Sequence, residues 1–159
     1  MVTPGLSFVT PYLVGADMMR HHLESIRRFH PEAPILVSTK GGTSREMEGY
    51  QADFGIRYWM EDCGYHEAVM RLLTRSDTEY VCVLDHDTVL LSSLDPYLEG
   101  LTTRRYDLMG VEERIREPPG VEWQHFAPAF DGWFRLAPGN VACNVILFNV
   151  REFVARWGL

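Results

Sequence analysis

The sequence predicts an α/β domain: a mostly parallel sheet with helices on both faces. Three observations lead there. Short apolar, partly β-branched runs alternate with amphipathic segments at helical spacing, the pattern of parallel strands joined by right-handed helical crossovers. The chain has 159 residues, 46% of them hydrophobic, which suits one domain with a real core. One apolar run, Tyr80 to Leu84, stops abruptly at Asp85-His86-Asp87. Open α/β sheets bind their ligands at such carboxyl ends of strands.

Taken in order, Leu6 to Val14 reads as the first strand. Gly15 to Phe29 follows as a helix, with Met18, Met19, His22, Leu23, Ile26 and Phe29 at helical spacing. Pro31 closes it. Ala33 to Ser38 is the second strand, and Lys40-Gly41-Gly42 a turn. Thr43, with Glu46 three residues on, forms a capping box for a helix reaching about Phe54. Ile56 to Met60 is the third strand. Gly64 to Arg75 is the third helix, with Val69, Leu72 and Leu73 inward. The acidic strand comes next.

Beyond the acids, Leu94 to Leu98 reads as a short helix and Tyr106 to Val111 as another strand. Arg114 to Gly139 is a long loop holding Pro118, Pro119, Pro128 and Pro138. A loop of that length in a compact domain is usually functional or mobile. Its aromatics (Trp123, Phe126, Phe130, Trp133, Phe134) read equally as a packed satellite core or as a binding surface. Val145 to Asn149 is a last strand, and Val150 to Trp157 starts a helix. No repeat or domain boundary interrupts the series, so residues 1–159 are expected to form one domain.

Composition narrows the partners. The net charge is −7, which argues against a nucleic-acid surface. An anionic small molecule would need local arginines or a metal. Lys40 is the only lysine, so arginine supplies nearly all the cations, and arginine is the better bidentate fork for phosphate. Cys63, Cys82 and Cys143 are far apart and odd in number, with no C-x-x-C pair or disulfide framework. Cys82 lies inside the apolar strand as a core residue. The pattern fits a reducing compartment, and a cytoplasmic location is expected. A basic start followed by an apolar core is missing, so no signal peptide is expected. No apolar run is long enough for a transmembrane segment. The six histidines fall into no zinc spacing with the cysteines.

Asp85 and Asp87 carry the chemistry. Residues two apart in a strand share a face, so both carboxylates can aim at one point beyond the strand. Two like charges that close are costly unless a cation sits between them. A hard divalent ion with oxygen ligands suits the pair. The plainer reading makes Asp85 a turn former and leaves Asp87 solvated. Thr88-Val89-Leu90-Leu91 after the acids puts them in a break within apolar chain, which weighs against a solvated loop. On these residues alone both readings stand. Thr10 to Tyr12, after the first strand, and Glu61 to Tyr65, after the third, reach the same sheet edge.

The ordered series resembles the nucleotide-binding part of a GT-A-fold glycosyltransferase, a Rossmann-type fold. It is most similar to the family of glycogenin and the bacterial lipopolysaccharide galactosyltransferases. Arg71-Leu72-Leu73, then Tyr80 through Leu90 with its DXD motif, then Leu94-Asp95-Pro96-Tyr97-Leu98 resemble that family's central block. Val145-Ile146-Leu147-Phe148-Asn149-Val150 resembles its later apolar strand ending in Asn, and Val9-Thr10-Pro11-Tyr12 its first strand end.

The resemblance implies transfer of a sugar from a nucleotide-sugar donor, UDP-linked, with retention of configuration. The acceptor stays open among glycan, lipid and protein. It implies that Asp85 and Asp87 hold Mn²⁺ or Mg²⁺ against the donor diphosphate, with Asp85 and His86 beside the nucleotide. Tyr12 would stack on the base, with Thr10 and Pro11 alongside, although Tyr12 reads equally as a core aromatic. Arg71 would contact phosphate or donor sugar, although it reads equally as a solvated helix face. Asp62 and His66 border the same crevice.

Two departures stand out. Ala142-Cys143-Asn144 replaces the family's usual Asn-Ser-Gly near donor sugar and acceptor, which leaves Asn144 as the residue of that region. The family's third metal ligand is a His from a later segment. His125 is the only histidine after the DXD motif and comes too early to match, so the chain is expected to be C-terminally incomplete. No catalytic residue is named by the sequence.

Two alternatives remain. One is a non-catalytic nucleotide-sugar-binding protein. The other is a haloacid-dehalogenase-type phosphatase with Asp85 as nucleophile and Asp87 as acid/base. Against the latter, three strand-helix units precede the motif and no lysine follows it. A dinucleotide-binding domain would need a Gly-rich turn after the first strand, and Thr10 to Gly15 lacks one.

Overall fold

The computed structural model describes residues 5–12, 18–103, 108–110 and 145–157. Its elements run β1 (Leu6–Tyr12), α1 (Met18–Phe29), β2 (Ile35–Thr39), α2 (Ser44–Phe54), β3 (Arg57–Met60), α3 (Tyr65–Thr74), β4 (Tyr80–Leu84), α4 (Asp95–Thr102), β5 (Leu108–Gly110), β6 (Val145–Asn149) and α5 (Val150–Trp157). The strands form one six-stranded sheet in the order β3-β2-β1-β4-β6-β5. β1 pairs in parallel with β2 and β4, and β2 with β3. β6 runs antiparallel to both β4 and β5, so among the described strands it alone opposes the direction of the others. Strand order reverses between β1 and β4, where an open sheet leaves a crevice at its carboxyl edge.

Strand alternation divides the core in two. Leu6, Phe8 and Tyr12 of β1 join Cys82 and Leu84 of β4, Met19, Leu23 and Ile26 of α1, and Met47 of α2. Val9 of β1 and Val81 and Val83 of β4 face the other way, toward Leu72 and Leu73 of α3 and Phe153 of α5. Helices therefore cover both faces, as the sequence predicts. Every residue of β1, β2 and β4 is buried, which explains why these strands show no alternation of apolar and charged residues. β3 lies at the edge and exposes Arg57 and Met60.

Helix ends follow the predicted chemistry with one change. Thr43 caps α2, its Oγ1 accepting the Glu46 N–H at 3.2 Å. Glu46, the predicted reciprocal partner, instead accepts from the Tyr12 hydroxyl at 2.8 Å. The helix stops at Gly55, whose φ of 62° lies in the left-handed region that glycine tolerates. Arg27 of α1 donates to Phe54 O at 2.8 Å and to Ala33 O at 2.6 Å. It thus satisfies the carboxyl end of α2 and pins the chain entering β2.

Boundaries shift where packing outweighs local signals. α4 continues to Thr102 instead of ending near Leu98, because Leu101 is buried in the core. That burial overrides the poor helix propensity of Gly100. β5 (Leu108–Gly110) lies within the predicted Tyr106 to Val111, whose two ends fall outside the described residues. The start of the first helix before Met18, the end of the first strand beyond Tyr12 and the loop from Arg114 to Gly139 lie outside the described residues.

Phe8 is fully buried at the centre of the larger cluster. Phe8→Ala is expected to destabilise the domain by about 3–5 kcal/mol, read as a drop in the urea midpoint with an unchanged slope.

Candidate functional site

β4 ends at Leu84, and the two acids lie on a turn rather than in extended chain. The Thr88 N–H donates to Asp85 O at 2.9 Å and closes it. The acids therefore follow one another through a turn and not along a strand, and the Asp87 charge acts on Asp85 from there. Asp85 is partly buried and Asp87 exposed. The Tyr65 hydroxyl, at the start of α3, donates to Asp85 Oδ1 at 2.6 Å. Burial raises the pKa of Asp85 above the ordinary carboxylate range, and the nearby Asp87 charge raises it further, while Tyr65 and His86 oppose the shift. A cation at this turn would relieve both raising effects.

The apolar run after the acids behaves differently from the expectation. Leu90 is buried, but Val89 is partly exposed and Leu91 is 89% exposed. The acids thus sit at the lip of the sheet, not in a buried break. Among the described residues no cluster of three or more His, Cys, Asp and Glu side chains forms a metal cage. Two carboxylates alone suit an ion such as Mg²⁺ that keeps waters and takes remaining ligands from substrate phosphates.

Beside the turn lies a shallow hollow of about 10 Å³, room for about one water molecule. Pro11 and Tyr12 line it from β1, Ser38 and Lys40 from the end of β2, Glu61 from the end of β3, and Tyr65 from α3. It is far below the roughly 300–1,000 Å³ of a ligand site, so in this structure it holds no ring of a ligand. Tyr65 belongs to both pocket and acidic turn and joins them.

The predicted residues divide between this edge and the layers beneath it. Pro11 lines the pocket. Tyr12 is only 2% exposed, its ring in the core and 5.4 Å edge-on to His86. In this arrangement its surroundings are those of the core aromatic of the alternative reading. Thr10 is fully buried, 2.9 Å from His22 Nε2, so it lies under the site and not against it. Gly42 makes room for Tyr12: a Cβ there would sit 2.9 Å from Thr39 Oγ1 and 3.2 Å from Tyr12 Cε1.

Asp62 is exposed and paired with Lys40 at 2.8 Å. His66 is exposed on the first turn of α3, beside Tyr65. Arg71 is bound by two carboxylates, Glu61 at 3.1 Å and Glu67 at 2.5 Å. Its guanidinium is turned along α3 and engaged there. Asn144 lies outside the described residues.

Two residues of the edge go unnamed in the sequence reading, though both lie at the ends of its Glu61 to Tyr65 stretch. Tyr65 carries no motif. Glu61 accepts from Arg75 at 2.8 Å, from Arg71 at 3.1 Å and from Ser38 at 3.1 Å. The hydrogen bond from Arg75 is the main reason its pKa falls to about 2, with Arg71 and Ser38 adding to it. The signal for this cluster is the spacing of Arg71 and Arg75, one helical turn apart.

No family model and no curated protein matches this chain. Solved structures do. *Staphylococcus aureus* TarS, residues 1–349, matches with a TM-score of 0.65 at 13% identity, over 96% of this chain and 49% of that one. TarS has also been solved with UDP and with UDP-GlcNAc. The mannosyltransferase PcManGT from *Pyrobaculum calidifontis*, in complex with GDP-Man and Mn²⁺, matches with a TM-score of 0.67 at 15% identity, over 98% and 47%. A 4-diphosphocytidyl-2C-methyl-D-erythritol synthase from *Anaerococcus prevotii* matches with a TM-score of 0.64 at 12% identity, over 98% and 74%.

The fold is therefore the GT-A-like, Rossmann-type α/β sheet that the sequence resemblance implies. The chain spans about half the length of TarS 1–349 and of the mannosyltransferase, and less than a third of the longer TarS chain. Among the described residues no helix is long and apolar enough to cross a membrane.

The buried groups at this edge predict acid sensitivity. Burial lowers the His22 pKa from 6.5 to about 4, so the unfolded chain takes up this proton first. Stability then falls as pH drops from 7 to 4, by about 3 kcal/mol from this group. Glu61, held near 2 against an ordinary 4.5, extends the loss below pH 4.5. Urea midpoints at pH 7, 5.5 and 4 should decline steadily; a flat profile would exclude a neutral buried His22.

Proposed function

We propose that this chain is the donor-binding part of a glycosyltransferase, taking a nucleotide-sugar through a divalent cation, Mn²⁺ or Mg²⁺, held on Asp85 and Asp87. The observation that carries this reading is the pair of acids on one turn at the carboxyl end of β4, beside the strand-order reversal. Their carboxylates are hard oxygen donors, and the strain on ionised Asp85 is the kind a cation removes. The fold shared with structures solved with UDP, UDP-GlcNAc, or GDP-Man and Mn²⁺ supports it.

In this reading the nucleotide lies along the carboxyl edge of the sheet, with its diphosphate over the acidic turn. Tyr65 fixes the rotamer of Asp85 while its ring walls the pocket. The bound ion would neutralise charge on the departing nucleotide diphosphate. Asp62, His66 and His86 border the donor, and Asn144 belongs to the sugar and acceptor region. Arg71 reaches phosphate only by leaving Glu61 or Glu67. The residues' resemblance to glycogenin and the lipopolysaccharide galactosyltransferases favours a UDP-hexose donor and retention. The acceptor is a glycan, lipid or protein.

Nucleotidyl transfer is the second reading, favoured by the match that covers most of the erythritol synthase chain. Product analysis separates the readings. Sugar transfer releases a nucleoside diphosphate, nucleotidyl transfer from a triphosphate releases pyrophosphate, and a non-catalytic binder releases neither.

Calorimetric titration with UDP, with and without Mn²⁺, tests the core of the proposal. Mn²⁺-dependent binding is expected. Asp87→Ala is expected to weaken it at least about tenfold, or about 1.4 kcal/mol. Because Asp87 is exposed, stability should change by no more than about 0.5 kcal/mol. Equal affinity in parent and variant would overturn the metal assignment.

A further inference from the structure

The chain between β4 and α4 has little regular structure of its own, yet it carries both acids. Backbone groups there that are buried need partners, and α1 supplies them. His22 Nδ1 lies 2.7 Å from Thr88 O, at the end of the acidic turn. Ser25 Oγ accepts the Leu90 N–H at 3.0 Å while donating to His22 O at 2.7 Å. His30, just past the helix, accepts the Leu94 N–H at its Nε2 at 3.0 Å. His22 and Ser25 lie on α1 and His30 directly after its last residue, and all three side chains are buried. They touch the loop at Thr88, Leu90 and Leu94 in order.

Burying two imidazoles and a hydroxyl against a sheet is unfavourable unless each is paired. An apolar face would pack this helix more simply. The pairing has direction as well. A carbonyl only accepts, so His22 carries its proton on Nδ1 and gives it to Thr88 O. Nε2 then accepts from the Thr10 hydroxyl, 2.9 Å away on β1. The ring is a fixed strut between β1 and the acidic turn, with Thr88 also closing that turn onto Asp85.

We propose that this polar face of α1 is the template that shapes the acidic turn, with His22 as the positioning residue for Asp85 and Asp87. The inference rests on the reading of those acids as a cation site. His22 touches neither the ion nor the donor; it acts through the Thr88 carbonyl. Outer partners of this kind typically set metal affinity by about 10–100-fold.

Two substitutions separate positioning from bulk stability. Asn at 22 places an amide where Nδ1 was and keeps the donor to Thr88. Gln places its amide where Nε2 was, keeping the contact to Thr10 and losing Thr88. Both remove a buried ring, so both lower the urea midpoint. His22→Gln is expected to weaken Mn²⁺-UDP binding about tenfold or more, and to speed hydrogen exchange at the Thr88 amide in metal-free protein. His22→Asn is expected to retain both within about threefold.

Thr88 exchange as slow in His22→Gln as in the parent would overturn the proposal, whatever the ion does. So would equal losses in the two variants. Fast Thr88 exchange in His22→Gln alone, in a protein whose parent binds no Mn²⁺-UDP, would uphold the template and sink the donor-binding reading. Should both His22 variants fail to fold, Ser25→Ala carries the test. It should speed exchange at Leu90, and unchanged exchange there would overturn the proposal.

Discussion

The constraint on which the rest depends is that β1 and β4 are sandwiched between helices on both faces. Neither strand has a side open to water, so neither can present chemistry along its length. Polar groups within them must be paired internally, as Thr10 is with His22. Anything that meets a ligand is pushed to the carboxyl edge, where the backbone leaves the sheet. The acidic turn, the pocket and the Glu61 cluster all crowd along that one edge for this reason.

Charge at the edge is arranged in two unlike ways. Glu61 is surrounded by donors from Arg75, Arg71 and Ser38 and stays ionised far below neutral pH. It is a closed structural knot holding β2, β3 and α3. Asp85 has the opposite environment: burial and a neighbouring acid work against its charge, and a tyrosine hydroxyl and His86 work for it. Two carboxylates, each the first residue past its strand, thus have opposite electrostatic fates. Only the second has something to gain from an added cation.

Much of this was legible from residue order. Alternating apolar and amphipathic runs locate nearly every element, because buried strands and one-sided helices need those patterns. The Thr43 cap is legible because capping is local. The DXD stretch marks the sheet edge because acids after a buried strand are unusual. What could not be read depends on contacts distant in sequence. His22 looks like an ordinary core position of a helix, and its role appears only when α1 lies beside Thr88. Tyr12 looks like a stacking platform until Glu46 and the core cover it. Arg71 looks like a phosphate ligand until Glu61 arrives from another strand. The continuation of α4 past Gly100 is decided by a buried leucine, which no local propensity encodes.

The reversed strand β6 has a consequence for how the molecule is made. It fills the place beside β4, pairing Leu84 with Val145 and Tyr80 with Asn149, so the partner of β4 is synthesised long after β4 itself. Until then Tyr80-Val81-Cys82-Val83-Leu84 is an open, uncharged edge beside a half-sheet of β1, β2 and β3 that can already assemble. Such an edge invites pairing with other chains, and closing it requires contacts of high sequence separation, which form slowly. A chain shortened to end before Val145 would keep the acidic turn and still be a poor candidate for study, because its exposed strand would favour self-association over folding.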